Sequence, residues 1–144
     1  MTRKRMANKP RTKAMLLPLP FALVRSISLE NHLALAAMRS GHGTPDTMCA
    51  LLRVLYVLFY MLDGNYDDAD LSRFVDGEAV LAKSVQAVAS GQDWQIVEEG
   101  ISVIEAMLLR FDEVAGSVPA FRYQDSVGEN GGVRTNRFAV TDTR

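Results

Sequence analysis

A chain of 144 residues with 48% hydrophobic and 23% charged residues is long enough to bury a core and has the composition of one globular domain. Its net charge of −1 excludes a uniformly basic or acidic protein, and its single cysteine excludes a disulfide framework or a cysteine-based zinc site within the chain. One cysteine is compatible with a reducing compartment, so we expect a cytoplasmic location.

The charges are unevenly distributed along the chain. Residues 1–25 hold seven basic residues and no acid, whereas residues 44–115 hold thirteen acids and four bases. Because residues 1–15 lack helical periodicity, we expect a disordered basic arm. Such an arm could contact nucleic-acid phosphates, or it could serve only as a solubilising tail. The candidate contacts are Arg3, Lys4, Arg5, Lys9, Arg11 and Lys13.

The segment LLPLP that follows, residues 16–20, is predicted to be extended, since each proline disfavours helix in the residue before it. Together with the arm it forms a first region over residues 1–19. The apolar run 14–24 after a basic segment also has features of a signal peptide, but Pro18, Pro20 and Arg25 weaken that interpretation.

The first predicted helix covers residues 20–39. An apolar stripe at helical spacing is interrupted by Asn31, and residues 33–38 are apolar on all sides. His32 has no partner at catalytic spacing, so we interpret it as a residue at the surface or the edge of the core.

The second predicted helix, residues 45–62, is the most apolar part of the chain. Thr44 is suited to cap it, Pro45 to occupy its first position and Gly64 to end it. Apolar residues point in nearly every direction, which predicts a helix surrounded by others. A membrane span needs about 20 apolar residues. This run is shorter and contains Arg53, so we expect no span.

Two further helices are predicted over residues 68–89 and 94–115, with Asp67 and Asp93 as caps. The loop DGNYD between the second and third helices does not match a calcium-binding loop. Short connections make neighbouring helices antiparallel. The sequence therefore predicts an all-α protein with an up-down antiparallel four-helix bundle over residues 20–116, followed by a flexible C-terminal tail over residues 117–144.

Three polar residues interrupt the apolar stripes at one predicted level of the bundle: Asn31, Arg53 and Glu78. A buried guanidinium needs a carboxylate, so we expect an Arg53–Glu78 pair with Asn31 beside it. This layer could fix the register of the helices, line a pocket for a small ligand, or turn Arg53 toward a second subunit.

Catalytic and metal-binding patterns are weak. The chain has two histidines, His32 and His42, and contains no Glu-x-x-His motif. Cys49 lies in the apolar helix, where a thiol is normally inert. We therefore expect no metal, no cofactor and no enzymatic activity.

The lysine- and arginine-rich start, the segment LENHLALAAMRSG at residues 29–41 and the apolar helix resemble short, uncharacterised, all-helical proteins of bacterial accessory genomes such as prophages and plasmids. That resemblance implies at most a regulatory role. The first functional hypothesis is a homodimeric interaction protein that binds another macromolecule. The alternatives are a nucleic-acid-associated regulator that uses the basic arm, and a small-ligand binder in the bundle core.

Overall fold

The computed structural model describes residues 11–128, and this part of the chain is helical without any β-strand. The helices are α1 (Lys13–Leu16), α2 (Phe21–Arg39), α3 (Pro45–Leu62), α4 (Asp68–Ala89), α5 (Glu98–Ala115) and α6 (120–128). The predicted all-α class is confirmed.

Helix α3 begins and ends as its local sequence predicts. The backbone N–H of Thr47 donates to Thr44 Oγ1 at 3.2 Å, and that of Thr44 donates to Thr47 Oγ1 at 2.8 Å, so each residue caps the other. Pro45 occupies the first turn. The left-handed stop begins one residue before the predicted glycine, at Asp63 with φ 48°, and continues through Gly64 with φ 81°.

Helix α3 is the central element. It packs against α2, α4 and α5, and eight of its residues are buried. By length and composition it is also the one helix in residues 11–128 that could cross a membrane. A helix that is packed among other helices in the interior of a protein is also apolar on every side, so it has the same composition as a membrane span. Cys49 is an exception to the predicted packing, since its side chain is exposed.

Helix α4 is capped as predicted, but α5 starts later than predicted. At α4, Asp67 Oδ1 accepts from the backbone N–H of Asp70 at 2.8 Å. Before α5, the backbone N–H of the buried Ile96 donates to the carbonyl of Met38 at 3.1 Å. This bond to the end of α2 keeps residues 94–97 out of the helix, so the predicted cap at Asp93 does not form.

The two ends of the described chain pack together. The N–H of Ala120 donates to the carbonyl of Leu17 at 2.7 Å, and the guanidinium of Arg11 lies 3.8 Å from the centre of the Phe121 ring. The predicted disorder therefore does not hold for residues 11–15, and Leu16, predicted to be extended, ends α1. Nor does a flexible tail describe residues 120–128, where Ser126 is buried. The rest of the predicted arm and tail lies outside the described residues.

Candidate functional site

The structure brings together two of the three residues of the predicted polar layer. Asn31 on α2 and Arg53 on α3 both line a cavity of about 60 Å³, and Tyr123 on α6 and Glu30 lie at the same cavity. Asn31 is buried, whereas Arg53 and Glu30 reach solvent. Glu78 does not line this cavity and is half-buried on α4.

The predicted Arg53–Glu78 pair is therefore wrong. Within residues 11–128 no hydrogen bond or ion pair joins the two side chains. Helix α4 meets α3 on the side of Leu55, because a Cβ atom added at Gly77 would lie 3.8 Å from Leu55 Cδ1. Residues two apart point about 200° apart around a helix, so Arg53 faces away from α4. Asn31 and Arg53 do stand at one level, but Arg53 lies on a different side of α3 from the one that meets α4.

The cavity combines polar groups with an apolar wall. The amide nitrogen of Asn31 is buried and has no hydrogen-bond partner in the described part of the chain. Burial raises the pKa of the Tyr123 hydroxyl, the Arg53 guanidinium opposes that rise, and the Glu30 carboxylate adds to it. A tyrosine hydroxyl is protonated at neutral pH at its ordinary pKa, and the net rise leaves it so, which allows it to donate a hydrogen bond. The apolar wall consists of Ile27, Ala50, Val54, Val57 and Phe111.

A second polar cluster joins α4 to α5 through the carboxylate of Asp70, whose side chain is 2% exposed. Arg110 donates from Nε to Oδ1 at 2.9 Å and from Nη2 to Oδ2 at 3.3 Å, and Arg73 donates to Oδ1 at 3.1 Å. Burial raises the pKa of Asp70, but the hydrogen bonds from Arg110 and from the Asp67 backbone, with the charges of the two arginines, hold it below its ordinary value.

The Asp70 cluster was not predicted from the sequence, although part of it was visible there. The spacing Asp67-x-x-Asp70 is that of two residues that cap each other, and Arg73 follows at the spacing of a helical ion pair. The contact with Arg110, forty residues away, has no such local signal. Because both carboxylate oxygens are occupied, we assign this cluster to structure.

A third cluster lies between α2 and α5. Ser28 Oγ donates to Asp112 Oδ2 at 2.8 Å, and His32 Nε2 lies 3.0 Å from the same oxygen. A catalytic triad needs the histidine between the serine and the carboxylate, whereas here the carboxylate is between them. With the Arg39–Glu98 ion pair at 3.1 Å, these contacts also establish that α2 and α5 run antiparallel.

Helix α2 carries an exposed apolar stripe on the side away from the core. Phe21, Arg25, Leu29 and Leu33 follow one another at intervals of four residues, which places them on one face. The three apolar members are 76%, 62% and 58% exposed, and Leu109 on the adjacent α5 is 56% exposed. We call Phe21, Arg25, Leu29 and Leu33 the α2 stripe. Of the four, only Leu33 lies within residues 33–38, which the sequence shows to be apolar on all sides.

The predicted nucleic-acid contacts divide between described and undescribed residues. Arg3, Lys4, Arg5 and Lys9 lie outside the described range. Arg11 is exposed but engaged, since its guanidinium stacks on Phe121 and lies 3.5 Å from the Asp125 carboxylate. Lys13 is exposed in α1. Among residues 11–128 no group of three or more potential metal ligands is found.

Comparison of the chain with family models, with curated proteins and with solved structures finds no match in any of the three. The function proposed below therefore depends on the geometry of the described residues.

Proposed function

We propose that this protein is a non-enzymatic interaction protein, built on an up-down antiparallel four-helix bundle of α2–α5, that forms a homodimer through the α2 stripe and acts by binding another macromolecule. The observation that carries the proposal is that α2 has two apolar faces. One face, with Leu35 and Met38, is buried in the core, and the other, with Leu29 and Leu33, is exposed.

The exposed apolar residues are concentrated rather than scattered. Eleven large apolar side chains are exposed within residues 11–128, and six of them lie between residues 16 and 33. Single exposed leucines are common on monomeric proteins, whereas contiguous apolar patches mark interaction sites. With 19 residues, α2 is about 28 Å long. Together with the neighbouring α5, it offers a face of the order that a dimer interface needs, roughly 800 Å² per subunit.

The charges beside this patch favour a second copy of the chain as the occupant. Arg25 and Glu105 are both exposed, and neither forms an ion pair with another residue in the range 11–128. Asp112 lies opposite residues 28–32 of α2 and Glu98 lies opposite Arg39. Glu105 stands midway between those two acids on α5, so it lies near the level of residues 34–36.

These levels have a two-fold relation. Along helix α2, Arg25 lies before Leu29 and Leu33, and the level of Glu105 lies beyond them at a comparable distance. A two-fold axis through the level of the two leucines would bring each Arg25 close to Glu105 of the partner subunit. Leucine would then pack on leucine at the centre, with opposite charges at both rims, as in isologous interfaces.

The dimer is tested by sedimentation equilibrium of the full chain. We expect the wild type to sediment as a dimer and the Leu29→Asp/Leu33→Asp variant as a monomer, with its dissociation constant raised more than about 100-fold because both substitutions bury charge at the interface centre. Val75→Asp is the matched control, since Val75 is 66% exposed but lies on α4. A monomeric wild type, or equal effects of both variants, would refute the proposal.

The register of the two copies has a separate test. Arg25→Glu and Glu105→Arg should each weaken the dimer, because each places like charges together, and the double variant should recover most of the loss. If the double variant loses as much dimer affinity as the two single variants together, then the dimer does not use the Arg25–Glu105 pair. The leucine variants would still show whether the dimer uses the α2 stripe.

The basic N-terminal segment supports a second candidate, a nucleic-acid-associated regulator. Its bases could neutralise phosphates, and binding to generic DNA would then weaken steeply as salt is raised. Deletion of residues 1–10 removes Arg3, Lys4, Arg5 and Lys9 and should flatten that salt dependence. Absence of binding at low salt would eliminate this candidate without affecting the dimer.

A further inference from the structure

The buried amide of Asn31 is the starting point for a binding site that is independent of the α2 stripe. Asn31 is only 8% exposed, and its Nδ2 has no acceptor among the described residues. More than nine in ten buried polar groups in proteins have a hydrogen-bond partner, and burial without one is destabilising. Asn31 is also one of the residues that line the cavity between α2, α3 and α6, so a turn of its side chain toward that cavity would let an acceptor there satisfy the nitrogen.

The cavity has a defined size and a defined chemistry. Its volume is about 60 Å³, and it opens to solvent where Arg53 and Glu30 are exposed. Three side chains at its edge can donate hydrogen bonds: Asn31 through Nδ2, Arg53 through its guanidinium and Tyr123 through its hydroxyl. The remaining wall is mainly apolar, with Val54, Val57 and Phe111 among its members.

We propose that this cavity binds a short-chain monocarboxylate such as acetate, with one oxygen accepting from Asn31 Nδ2, the carboxylate facing Arg53 and the methyl group against the apolar wall. A planar carboxylate matches the fork of an arginine side chain. The mixed lining favours a group that is charged at one end and apolar at the other.

Other small ligands fit these groups less well. Inorganic phosphate has no apolar part to place on the valines, and its dianion would be repelled by Glu30 more strongly than a singly charged carboxylate is. A metal ion would find one carboxylate, that of the exposed Glu30, among groups that otherwise mainly donate. Tyr123 adds a hydroxyl that can donate to an acceptor at the same cavity.

The expected affinity sets the concentration range of the experiment. Acetate has four non-hydrogen atoms, and the best ligands of that size have a dissociation constant no lower than about 40 µM. Acetate should therefore be titrated from about 50 µM to 50 mM against sodium chloride at equal ionic strength and pH 7, with the melting temperature of the full chain as the readout.

We expect the wild-type melting temperature to rise saturably with acetate relative to chloride, because a ligand that binds only the folded state stabilises it. Formate and propionate should act similarly, and longer acids should lose the effect once they exceed the cavity. Asn31→Leu should abolish the response. Arg53→Gln should weaken it about tenfold or more, through loss of a charge-assisted contact. Lys83→Gln, which changes an exposed basic residue on α4, is the control that should retain it.

A second readout does not depend on folding stability. The methyl resonance of acetate should broaden on adding wild-type protein and should stay sharp with Asn31→Leu. Equal melting temperatures in acetate and chloride, with no broadening, would leave a cavity occupied by water only and overturn the proposal. Retention of both effects in Asn31→Leu would also overturn it, since binding would then be elsewhere.

Discussion

The Asp70 cluster and the Asn31 cavity are two buried polar sites that differ in whether the polar side chain has hydrogen-bond partners. Asp70 is 2% exposed and both of its oxygens accept hydrogen bonds, whereas Asn31 is 8% exposed and its amide nitrogen has no partner in the described part of the chain. Burial of a polar residue therefore does not by itself separate a structural role from a binding role. Because Asp70 has partners and the Asn31 nitrogen has none among the described residues, we assign the first residue to structure and propose binding at the second.

The difference follows from where each residue lies on its helix. Asp70 is in the first turn of α4, where the positive end of the helix dipole favours a carboxylate and where Arg110 of α5 reaches it. Asn31 is in the middle of α2, where backbone groups are already bonded within the helix. The short side chain of Ala50 lines the same cavity and leaves room there.

The largest expected effect comes from Asp70→Ala. The substitution removes a cap of α4 and leaves Arg110, which is 25% exposed, without its buried partner. We expect the free energy of unfolding to fall by about 3 kcal/mol, measured by urea denaturation. Asp68→Ala, an exposed acid in the same helical turn, should cost less than about 1 kcal/mol. Equal losses for both variants would contradict a structural role for the cluster.

The dependence of stability on pH should reveal the contribution of the Asp70 carboxylate. The pKa of Asp70 is lower in the folded chain than its ordinary value of 3.8, so the folded state binds the proton less readily than the unfolded state. The contribution of Asp70 is then fully present above 3.8 and is lost as pH falls through the folded pKa. The stability difference between wild type and Asp70→Asn should shrink over that range. A difference that is constant with pH would mean that the carboxylate is not held by its partners.

Asn31→Leu should stabilise the protein, whereas Asp70→Ala destabilises it, and its effect should be smaller. It replaces an unpartnered amide by an apolar side chain of similar shape beside a cavity with room for it. Without ligand, we expect the free energy of unfolding to rise by about 0.5–1 kcal/mol. A clear loss of stability in urea denaturation would indicate that the amide already has a partner, and the contrast with Asp70 would then disappear.

The smallest effect is expected for Glu78→Gln. A buried pair with Arg53 would make Glu78 worth several kcal/mol, but Glu78 has no ion-pair partner within residues 11–128. We expect the free energy of unfolding to change by less than about 0.5 kcal/mol, as for most sites without special contacts. A fall in the free energy of unfolding near 3 kcal/mol would indicate that Glu78 does form the predicted ion pair with Arg53.

Helix ends were predictable where their signals are local, and were missed where they are not. The start of α3 depends on Thr44 and Pro45, which act within one turn. The start of α5 depends on Ile96, whose N–H bonds to the carbonyl of Met38 at the end of α2. Helical periodicity continues through residues 94–97, so the sequence alone extended the helix. The packing of residues 11–19 against 119–128 was missed for the same reason.

The sequence by itself determined that the chain is helical, where α3 begins and ends, and that Asn31 and Arg53 stand at one level. Caps, helical periodicity and connection lengths involve residues close in the chain, so they can be recognised without a fold. Only the tertiary structure decided which side of α3 meets α4, that Arg53 lies beside Asn31 instead of Glu78, and that Arg110 holds Asp70. Connection lengths set the height of a residue along a bundle, but the direction of its side chain around the helix depends on how the helices pack.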